Sequence, residues 1–138
     1  MKIFIKKPNN SEMLKLLKSF EEKSLEGFKN NLERKKEGLL IIKLDDKIAG
    51  VLKYKNNKDF SRVESFYLLL EKWRGKGVAQ KLYEKYEKSL ENKKYVEAYV
   101  YQSNHRAQGF WKKNGFLIIK ESKDNKGKKL YYMKKKLY

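Results

Sequence analysis

The sequence contains no cysteine, and it has only one histidine and one proline among 138 residues. Without cysteine the chain can form no disulfide and no thiolate metal site, and it has no catalytic cysteine. Protein sites for catalytic metals are commonly built from several histidine, cysteine and carboxylate ligands, so the single histidine disfavours such a site. We therefore predict that the protein holds no metal.

Long apolar runs are missing as well. The longest, around Leu39–Leu44, has the length of a strand and not the roughly 20 residues of a membrane-spanning helix. The first residues, MKIFIKKPNN, contain neither the apolar core nor the small-residue cleavage site of a signal peptide. We expect no membrane partner and a cytoplasmic location, and the 40% of hydrophobic residues predicts a globular chain.

Charge is abundant and unbalanced, with 35 Lys+Arg against 17 Asp+Glu and a net charge of +18. Such an excess favours binding to polyanions. However, only four of the basic residues are arginines, and the lysines are spread along the chain among glutamates. The chain is also rich in Asn, Ile and Tyr, which AT-rich codons produce. Compositional bias is therefore the favoured explanation, and a functional basic surface is the alternative.

The hydrophobic pattern divides the chain into short strands and helices. It predicts strands over residues 2–6, 38–44, 47–54, 61–70, 94–101, 116–121 and 129–135. Helical spacing predicts a helix from Glu12 with Ser11 as its N-cap, and further helices over 25–37, 78–90 and 104–114. The order β-α-α-β-β-β-α-β-α-β-β, without linker or repeat, predicts one α+β domain over residues 1–138. Its central sheet should be mixed, mostly antiparallel and flanked by helices.

The stretch WRGKGVAQ, residues 73–80, joins a predicted strand to a predicted helix. A helix N-terminus presents backbone N–H groups with partial positive charge, and glycines allow a phosphate to approach them closely. No carboxylate occurs between Lys72 and Lys81. The spacing is neither that of a Walker A loop nor that of a Rossmann turn. The stretch predicts an anion site, and a plain glycine-rich loop is the alternative.

A second pattern is NHRAQGFWKKNGF, residues 104–116. Asn104 ends a predicted strand in a position to cap the following helix. Ala107, Phe110 and Trp111 share one face of that helix, and Gly115 is placed to end it. A cap, a core stripe and a terminal glycine explain most of these residue types by structure alone.

Together the two stretches resemble the GNAT superfamily of N-acetyltransferases. RGKGVA fits that family's acyl-CoA turn, Q/R-x-x-G-x-G/A, at Arg74, Gly77 and Ala79. NHRAQGFWKKNGF has the family's Asn, the Ala three residues later, the aromatic pair and the Gly-Phe. The resemblance extends over nearly the whole chain. It implies a single N-acetyltransferase domain that transfers an acetyl group from acetyl-CoA to a primary amine by direct attack in a ternary complex.

The resemblance also implies how the cofactor is held. The N–H groups of the turn would bind the CoA pyrophosphate, and the preceding strand end would pair with the pantetheine arm through Leu68 or Leu69. A backbone N–H near Leu69 would polarise the thioester carbonyl. Asn104 would contact the pantetheine or the adenosine side. The implied cofactor-binding residues are Leu68, Leu69, Leu70, Arg74, Gly75, Lys76, Gly77, Val78, Ala79, Gln80, Asn104 and Trp111.

Amine attack on a thioester involves an acid for the leaving thiolate. The family often places a tyrosine for this purpose on the short helix, where this sequence has Trp111. An indole N–H is not a usable acid. Tyr67, Tyr101 and Tyr132 are the candidate replacements, and packing is the alternative role of each.

The attacking ammonium must also lose a proton. Glu64 is the predicted base, because family members often carry an acidic residue on this strand facing the acceptor. A solvated glutamate paired with Arg62 is the alternative reading, and Glu97 on the next strand is the second choice as base. His105 is expected to be exposed, and catalysis is not its favoured role.

Three functions remain open at this point. The favoured one is the acetyltransferase, acting on a small-molecule amine, a peptide N-terminus or a lysine, as a monomer or a homodimer. An acidic or phosphorylated acceptor, or one presented on a ribosome, would fit the positive charge. The second is a basic nucleic-acid-binding module that uses lysines and exposed tyrosines. The third is a CoA-binding domain of the same fold without catalysis.

Overall fold

A computed structural model describes residues 2–22, 38–69 and 75–137. In these residues the order of elements is β1 (Ile3–Lys6), α1 (Asn10–Glu22), β2 (Leu39–Leu44), β3 (Lys47–Asn56), β4 (Phe60–Leu68), α2 (Val78–Lys88), β5 (Tyr95–Tyr101), α3 (His105–Lys113), β6 (Leu117–Lys123) and β7 (Lys129–Lys136). The predicted α+β class is confirmed. The helix predicted over residues 25–37 lies outside the described residues.

The strands form one seven-stranded sheet in the order β1-β2-β3-β4-β5-β7-β6. Pairing is antiparallel between β1 and β2, β2 and β3, β5 and β7, and β6 and β7, and it is parallel between β4 and β5. The parallel register runs from Phe60 opposite Tyr95 to Val63 opposite Ala98. Parallel neighbours need a crossover connection, and α2 provides it. The prediction of a mixed, mostly antiparallel sheet is confirmed.

The chain divides into two compact units. Unit 1 comprises Met1–Tyr54 and Ser65–Leu90, and unit 2 comprises Lys55–Glu64 and Glu91–Tyr138. In unit 1 the apolar face of α1, spaced at three and four residues, packs against β2, β3 and the end of β4. The core residues are Met13, Leu16, Phe20, Leu39, Ile41, Val51 and Leu69.

The core of unit 2 lies between β5, β7 and α3. The apolar residues on one face of β5 are buried, namely Val96, Ala98 and Val100, and Glu97 on the opposite face is buried as well. The α3 helix ends in a Schellman motif: Gly115 N–H donates to the Lys112 carbonyl and Phe116 N–H donates to the Trp111 carbonyl, both at 3.0 Å. The predicted end of this helix at Gly115 is confirmed.

The N-terminus of α1 is closed by a reciprocal pair of hydrogen bonds. Glu12 N–H donates to Asn9 Oδ1 at 2.8 Å, and Asn9 N–H donates to Glu12 Oε1 at 3.0 Å. This is a capping box, in which Asn9 is the N-cap and Glu12 is the third helical residue. The prediction of Ser11 as the N-cap is wrong, because only Asn9 has an acidic partner three residues later.

Two lysines reinforce this cap. Lys43 Nζ lies 2.9 Å from Glu12 Oε2, and Lys6 Nζ lies 3.0 Å from Glu12 Oε1. The hydrogen bonds from Lys43 and from the Asn9 backbone outweigh the effect of burial and lower the pKa of Glu12 to about 2. A carboxylate at the start of α1 is also favoured by the partial positive charge of the helix N-terminus.

The β6 strand is the outer strand of the sheet next to β7. Three consecutive apolar side chains at its start, Leu117, Ile118 and Ile119, are exposed by 69%, 39% and 52%. The pairing with β7 is irregular between Ile118 and Lys120. Such an irregularity is typical of a β-bulge, which bends and twists an edge strand.

Candidate functional site

The glycine turn of unit 1 leads directly into α2. Gly75 and Gly77 have left-handed backbone angles, with φ values of 75° and 78°, which residues other than glycine adopt only with strain. A Cβ built on either glycine would meet no heavy atom of the described residues within 4 Å. Conformation and not crowding therefore requires these glycines, and there is room beside the backbone for a ligand.

Gly77 is the N-cap residue of α2, and no side chain of residues 2–22, 38–69 or 75–137 accepts a hydrogen bond there. The first described intrahelical bond runs from Lys81 N–H to the Gly77 carbonyl at 3.1 Å, so the N–H groups of Val78 and Ala79 precede it. The first turn of α2 contains no acidic residue. The positive end of this helix is therefore not neutralised by a carboxylate of its own first turn.

Packing holds α2 in place behind the turn. Val78, Leu82, Tyr83 and Tyr86 are buried, and the Tyr86 ring lies 5.1 Å from the Tyr54 ring between centroids. The Gln80 side chain donates to Glu84 Oε1 at 3.1 Å along the exposed side of the helix. The backbone at the start of α2 is thus fixed before any ligand arrives.

At the end of β4, one backbone N–H group is hydrogen-bonded to the neighbouring strand β3. Leu69 N–H donates to the Ala49 carbonyl at 2.8 Å. Successive residues of a strand direct their N–H groups to opposite sides, so Leu68 N–H is directed away from β3. Of the two predicted pairing residues, this geometry favours Leu68. Leu70 and Arg74 lie outside the described residues.

In unit 2, the buried Glu97 is the centre of a hydrogen-bonded cluster with two partly exposed partners. Its Oε1 accepts from Arg62 Nε at 2.7 Å and lies 2.6 Å from Arg62 Nη2, and its Oε2 accepts from the Tyr132 hydroxyl at 2.5 Å. Only 4% of Glu97 is exposed. Because both carboxylate oxygens of Glu97 accept hydrogen bonds, Glu97 is a poor candidate for the base. The ion pair of Arg62 is with Glu97.

The two tyrosines proposed as acids in unit 2 both donate to carboxylates. Burial, followed by the hydrogen bond to Glu97, raises the pKa of Tyr132. The Tyr101 hydroxyl donates to Asp124 Oδ2 at 2.9 Å, and that bond raises the pKa of Tyr101. A phenol with a raised pKa gives up its proton less readily, so neither side chain is prepared as an acid.

The remaining candidates have different surroundings. Glu64 is exposed on β4. Burial lowers the pKa of Arg62, but the interactions with Glu97 outweigh burial and raise that pKa, with a smaller contribution from the charge of Glu64. Tyr67 is half-buried, with its ring edge-on to Phe20 at 5.9 Å, in the core of unit 1. His105 is exposed at the first position of α3, as predicted.

Asn104 and Trp111 have clear structural roles in unit 2. Asn104 Oδ1 accepts from Ala107 N–H at 3.0 Å, which confirms that Asn104 caps α3. Trp111 is buried, and its ring lies edge-on to Phe116 with centroids 4.9 Å apart. Contact of either side chain with CoA stays a prediction.

The described residues form neither a cluster of metal ligands nor a membrane-spanning helix. No group of three or more His, Cys, Asp or Glu side chains is arranged to hold a metal ion in the part of the chain that the structure describes. Among the same residues, no helix has both the length and the apolar character needed to cross a bilayer.

The chain matches the model of the Acetyltransferase (GNAT) family over residues 7–116. It belongs to this family. The matched region contains the glycine turn, α2 and α3, and it ends at Phe116 in the Schellman motif. Membership supports acetyl transfer as the general chemistry of this GNAT chain.

Solved structures show the same fold. Ard1 from Thermoplasma volcanium is 19% identical, with a TM-score of 0.81 and coverage of 100% of this chain and 99% of that chain. The ribosomal-protein-S18-alanine N-acetyltransferase from Escherichia coli is 13% identical, with a TM-score of 0.78 and coverage of 99% and 94%. The PaiA N-acetyltransferase from Thermoplasma acidophilum, solved in complex with coenzyme A, is 18% identical, with a TM-score of 0.76 and coverage of 99% of each chain. No curated protein sequence matches this GNAT chain significantly.

Proposed function

We propose that this protein transfers the acetyl group of acetyl-CoA to a primary amine of a small molecule or a protein. The observation that carries the proposal is the start of α2, where two left-handed glycines precede a helix without a capping side chain. A structural neighbour, the PaiA N-acetyltransferase, was solved with coenzyme A bound. The same co-substrate is proposed here.

The residues of the turn fit a pyrophosphate. The N–H groups of Val78 and Ala79 would donate to phosphate oxygens, and the helix dipole would favour their negative charge. Lys76 is exposed within the turn and would add a positive charge. Gly75 and Gly77 leave open space where a side chain would otherwise obstruct the phosphates.

The end of β4 would orient the thioester. Leu68 N–H, directed away from β3, would donate to the thioester carbonyl oxygen and stabilise the negative charge that develops there during attack. A new N–C bond forms between amine and acetyl carbon, and the C–S bond then breaks. Electrons of the C–S bond leave with sulfur as the CoA thiolate.

The proposal assigns the proton transfer to Glu64. An exposed carboxylate can take the proton that the attacking nitrogen must lose and pass it to water. A thiol titrates near pKa 8.5, so a thiolate is an acceptable leaving group without a strong acid beside it. Turnover is therefore compatible with a tryptophan at position 111. It is also compatible with the Tyr101 and Tyr132 hydroxyls donating to carboxylates of the protein.

The first experiment is a calorimetric titration of acetyl-CoA into the wild type and Gly77→Asp. We expect micromolar binding to the wild type and at least a tenfold weaker affinity for the variant, because the new carboxylate repels the pyrophosphate. Gly127→Asp is the matched control, since Gly127 has a φ of 82° and equally open surroundings in the β6–β7 turn. Absence of binding to the wild type, or equal losses in both variants, would contradict the proposal.

Turnover is measured next, by release of the CoA thiol over a panel of primary amines. The protein contains no cysteine, so a thiol reagent reports only the product. Release that depends on an amine supports the transferase. Tight binding of acetyl-CoA without release over a broad panel would instead support a CoA-binding domain that lacks catalysis.

A further inference from the structure

One face of the sheet in unit 2 carries aromatic and basic side chains in neighbouring positions. The register places Tyr95, Glu97, Tyr99 and Tyr101 of β5 on this face, opposite Lys136, Lys134, Tyr132 and Leu130 of β7. Phe60 and Arg62 of β4 extend it on one side, and Lys120 of β6 extends it on the other. We call this set the aromatic face.

Cations lie over the rings of the aromatic face. Lys134 Nζ is 3.9 Å from the centroid of the Tyr95 ring, and Lys128 Nζ is 4.3 Å from that of Tyr101. Lys120 lies 5.6 Å from the Tyr132 ring. These distances are within the range of cation–π attraction. Rings and positive charges therefore alternate across this face.

Two of the rings are held by their hydroxyl groups. The Tyr132 hydroxyl donates to Glu97, and the Tyr101 hydroxyl donates to Asp124. Glu97 is buried and bound by Arg62, so its charge is largely compensated. Tyr99 and Tyr101, two residues apart on β5, remain exposed by 44% and 39%. The face thus presents two accessible rings, of which Tyr101 is held by its hydroxyl group, with lysines beside them.

We propose that the aromatic face binds single-stranded nucleic acid. Sheets that bind single-stranded RNA stack bases on aromatic residues of adjacent strands, and lysines contact the backbone phosphates. Tyr99 is more exposed than Tyr101 and provides the main stacking surface. The cations are Lys120, Lys128 and Lys134. An acidic peptide would satisfy the charges, but it would not use the flat surface of the rings.

The proposal is tested with the full chain and a fluorescein-labelled polyuridine of about 12 nucleotides, a length within the range that one such surface covers. Anisotropy gives the affinity at several salt concentrations. We expect a slope of log K against log salt of about −2, because each of about three phosphate contacts contributes about −0.7 on a single strand. A duplex of the same length and polyglutamate are the competitors, and both should compete at least tenfold less well.

Stacking is tested at Tyr99. Tyr99→Ala should weaken binding at least about fivefold, since one stacked base contributes at least about that factor. Tyr99→Phe should retain the affinity because it keeps the ring. Phe4→Ala is the control, because Phe4 is an exposed aromatic residue of β1 in unit 1. Equal effects of Tyr99→Ala and Phe4→Ala would overturn the proposal.

The charges are tested with two pairs of substitutions that lower the net charge equally. Lys128→Ala with Lys134→Ala should reduce the magnitude of the salt slope by about 1.4, which is two contacts. Lys15→Ala with Lys18→Ala, on the exposed side of α1, should leave the slope unchanged. Equal changes in both double variants would show diffuse attraction by the whole chain and overturn the proposal. Polyglutamate competing as well as polyuridine would assign the face to an acidic protein partner and also overturn it.

Discussion

Two helices of unit 1 begin in opposite ways. At α1 the chain supplies its own anion: Glu12 and Asn9 bond reciprocally, and two lysines hold the carboxylate in place. At α2 no side chain in the described part of the chain accepts at the N-cap, and the first turn has no acidic residue. The same partial charge is present at both N-termini. It is satisfied within the protein at α1, and at α2 the proposed pyrophosphate of acetyl-CoA would satisfy it.

The α3 helix of unit 2 supports this interpretation, because its N-cap Asn104 accepts a hydrogen bond from Ala107. Of the helix starts in the described residues, α2 alone depends on glycines in place of a capping side chain. The start of α2 therefore differs from the other two described helix starts in having no side-chain acceptor for its first N–H groups among the described residues.

The largest expected effect tests whether the Glu97 carboxylate, whose two oxygens both have partners, stabilises the fold and takes no part in catalysis. Glu97→Gln should lower the free energy of unfolding by about 2–3 kcal/mol, because it removes the buried carboxylate that binds Arg62, and the partial exposure of Arg62 to water reduces the cost. The measurement is urea denaturation. Glu64→Gln, at an exposed position, should change stability by less than about 1 kcal/mol and reduce kcat about a hundredfold. The reverse pattern would identify Glu97 as the base.

The next effect tests the capped start of α1. Glu12→Gln should cost about 2 kcal/mol near neutral pH, after allowance for the exposure of Lys6 to water. The pKa of Glu12 in the folded protein, about 2, lies below its ordinary value of 4.5. The stabilisation is therefore complete above about pH 4.5 and disappears as the pH falls towards 2.

Unfolding curves of the wild type and Glu12→Gln between pH 7 and pH 2 check this dependence. Their difference in stability should shrink as the pH falls. Glu91→Gln, at an exposed position after α2, is the control and should show no such convergence. Acetyl-CoA affinity should be the same in Glu12→Gln as in the wild type. A large loss of affinity in this variant would contradict the view that the start of α1 is structural and only the start of α2 binds the cofactor.

The smallest effect concerns the cap of α3. Asn104→Ala should cost about 1 kcal/mol of stability through loss of the bond from Ala107. Asn104→Asp keeps an acceptor for that bond and should retain most of the stability. If Asn104 also contacts CoA, both variants should bind acetyl-CoA more weakly than the wild type. A loss of stability without a change in affinity would leave Asn104 with the capping role alone.

Local sequence patterns predict much of the fold. The alternation of β5 predicts a strand with one apolar face, and the three- and four-residue spacing of α1 predicts its apolar face. The end of α3 at Gly115 was also local, because the Schellman motif involves only neighbouring residues. The N-cap of α1 was misassigned although the signal was present, since Asn9 has a glutamate three residues later and Ser11 does not.

The candidate site was less predictable, because its geometry depends on residues distant in sequence. Arg62 and Tyr132 are each 35 residues from Glu97, and nothing local indicates that both bind it. The hydrogen bond from Leu69 N–H to the Ala49 carbonyl depends on the register of β4 against β3. Composition, motif and spacing predicted the glycine turn correctly as a helix start, since all of its determinants are adjacent.

The outer strand β6 has a consequence for handling the protein. An edge strand with three exposed apolar side chains is a template on which another chain can add a strand, and repeated addition leads to aggregation. The irregularity before Lys120 and the lysines that follow act as gatekeepers against this growth. Part of that protection is electrostatic repulsion, which high salt screens. The colloidal stability of concentrated solutions should therefore be greatest at low ionic strength.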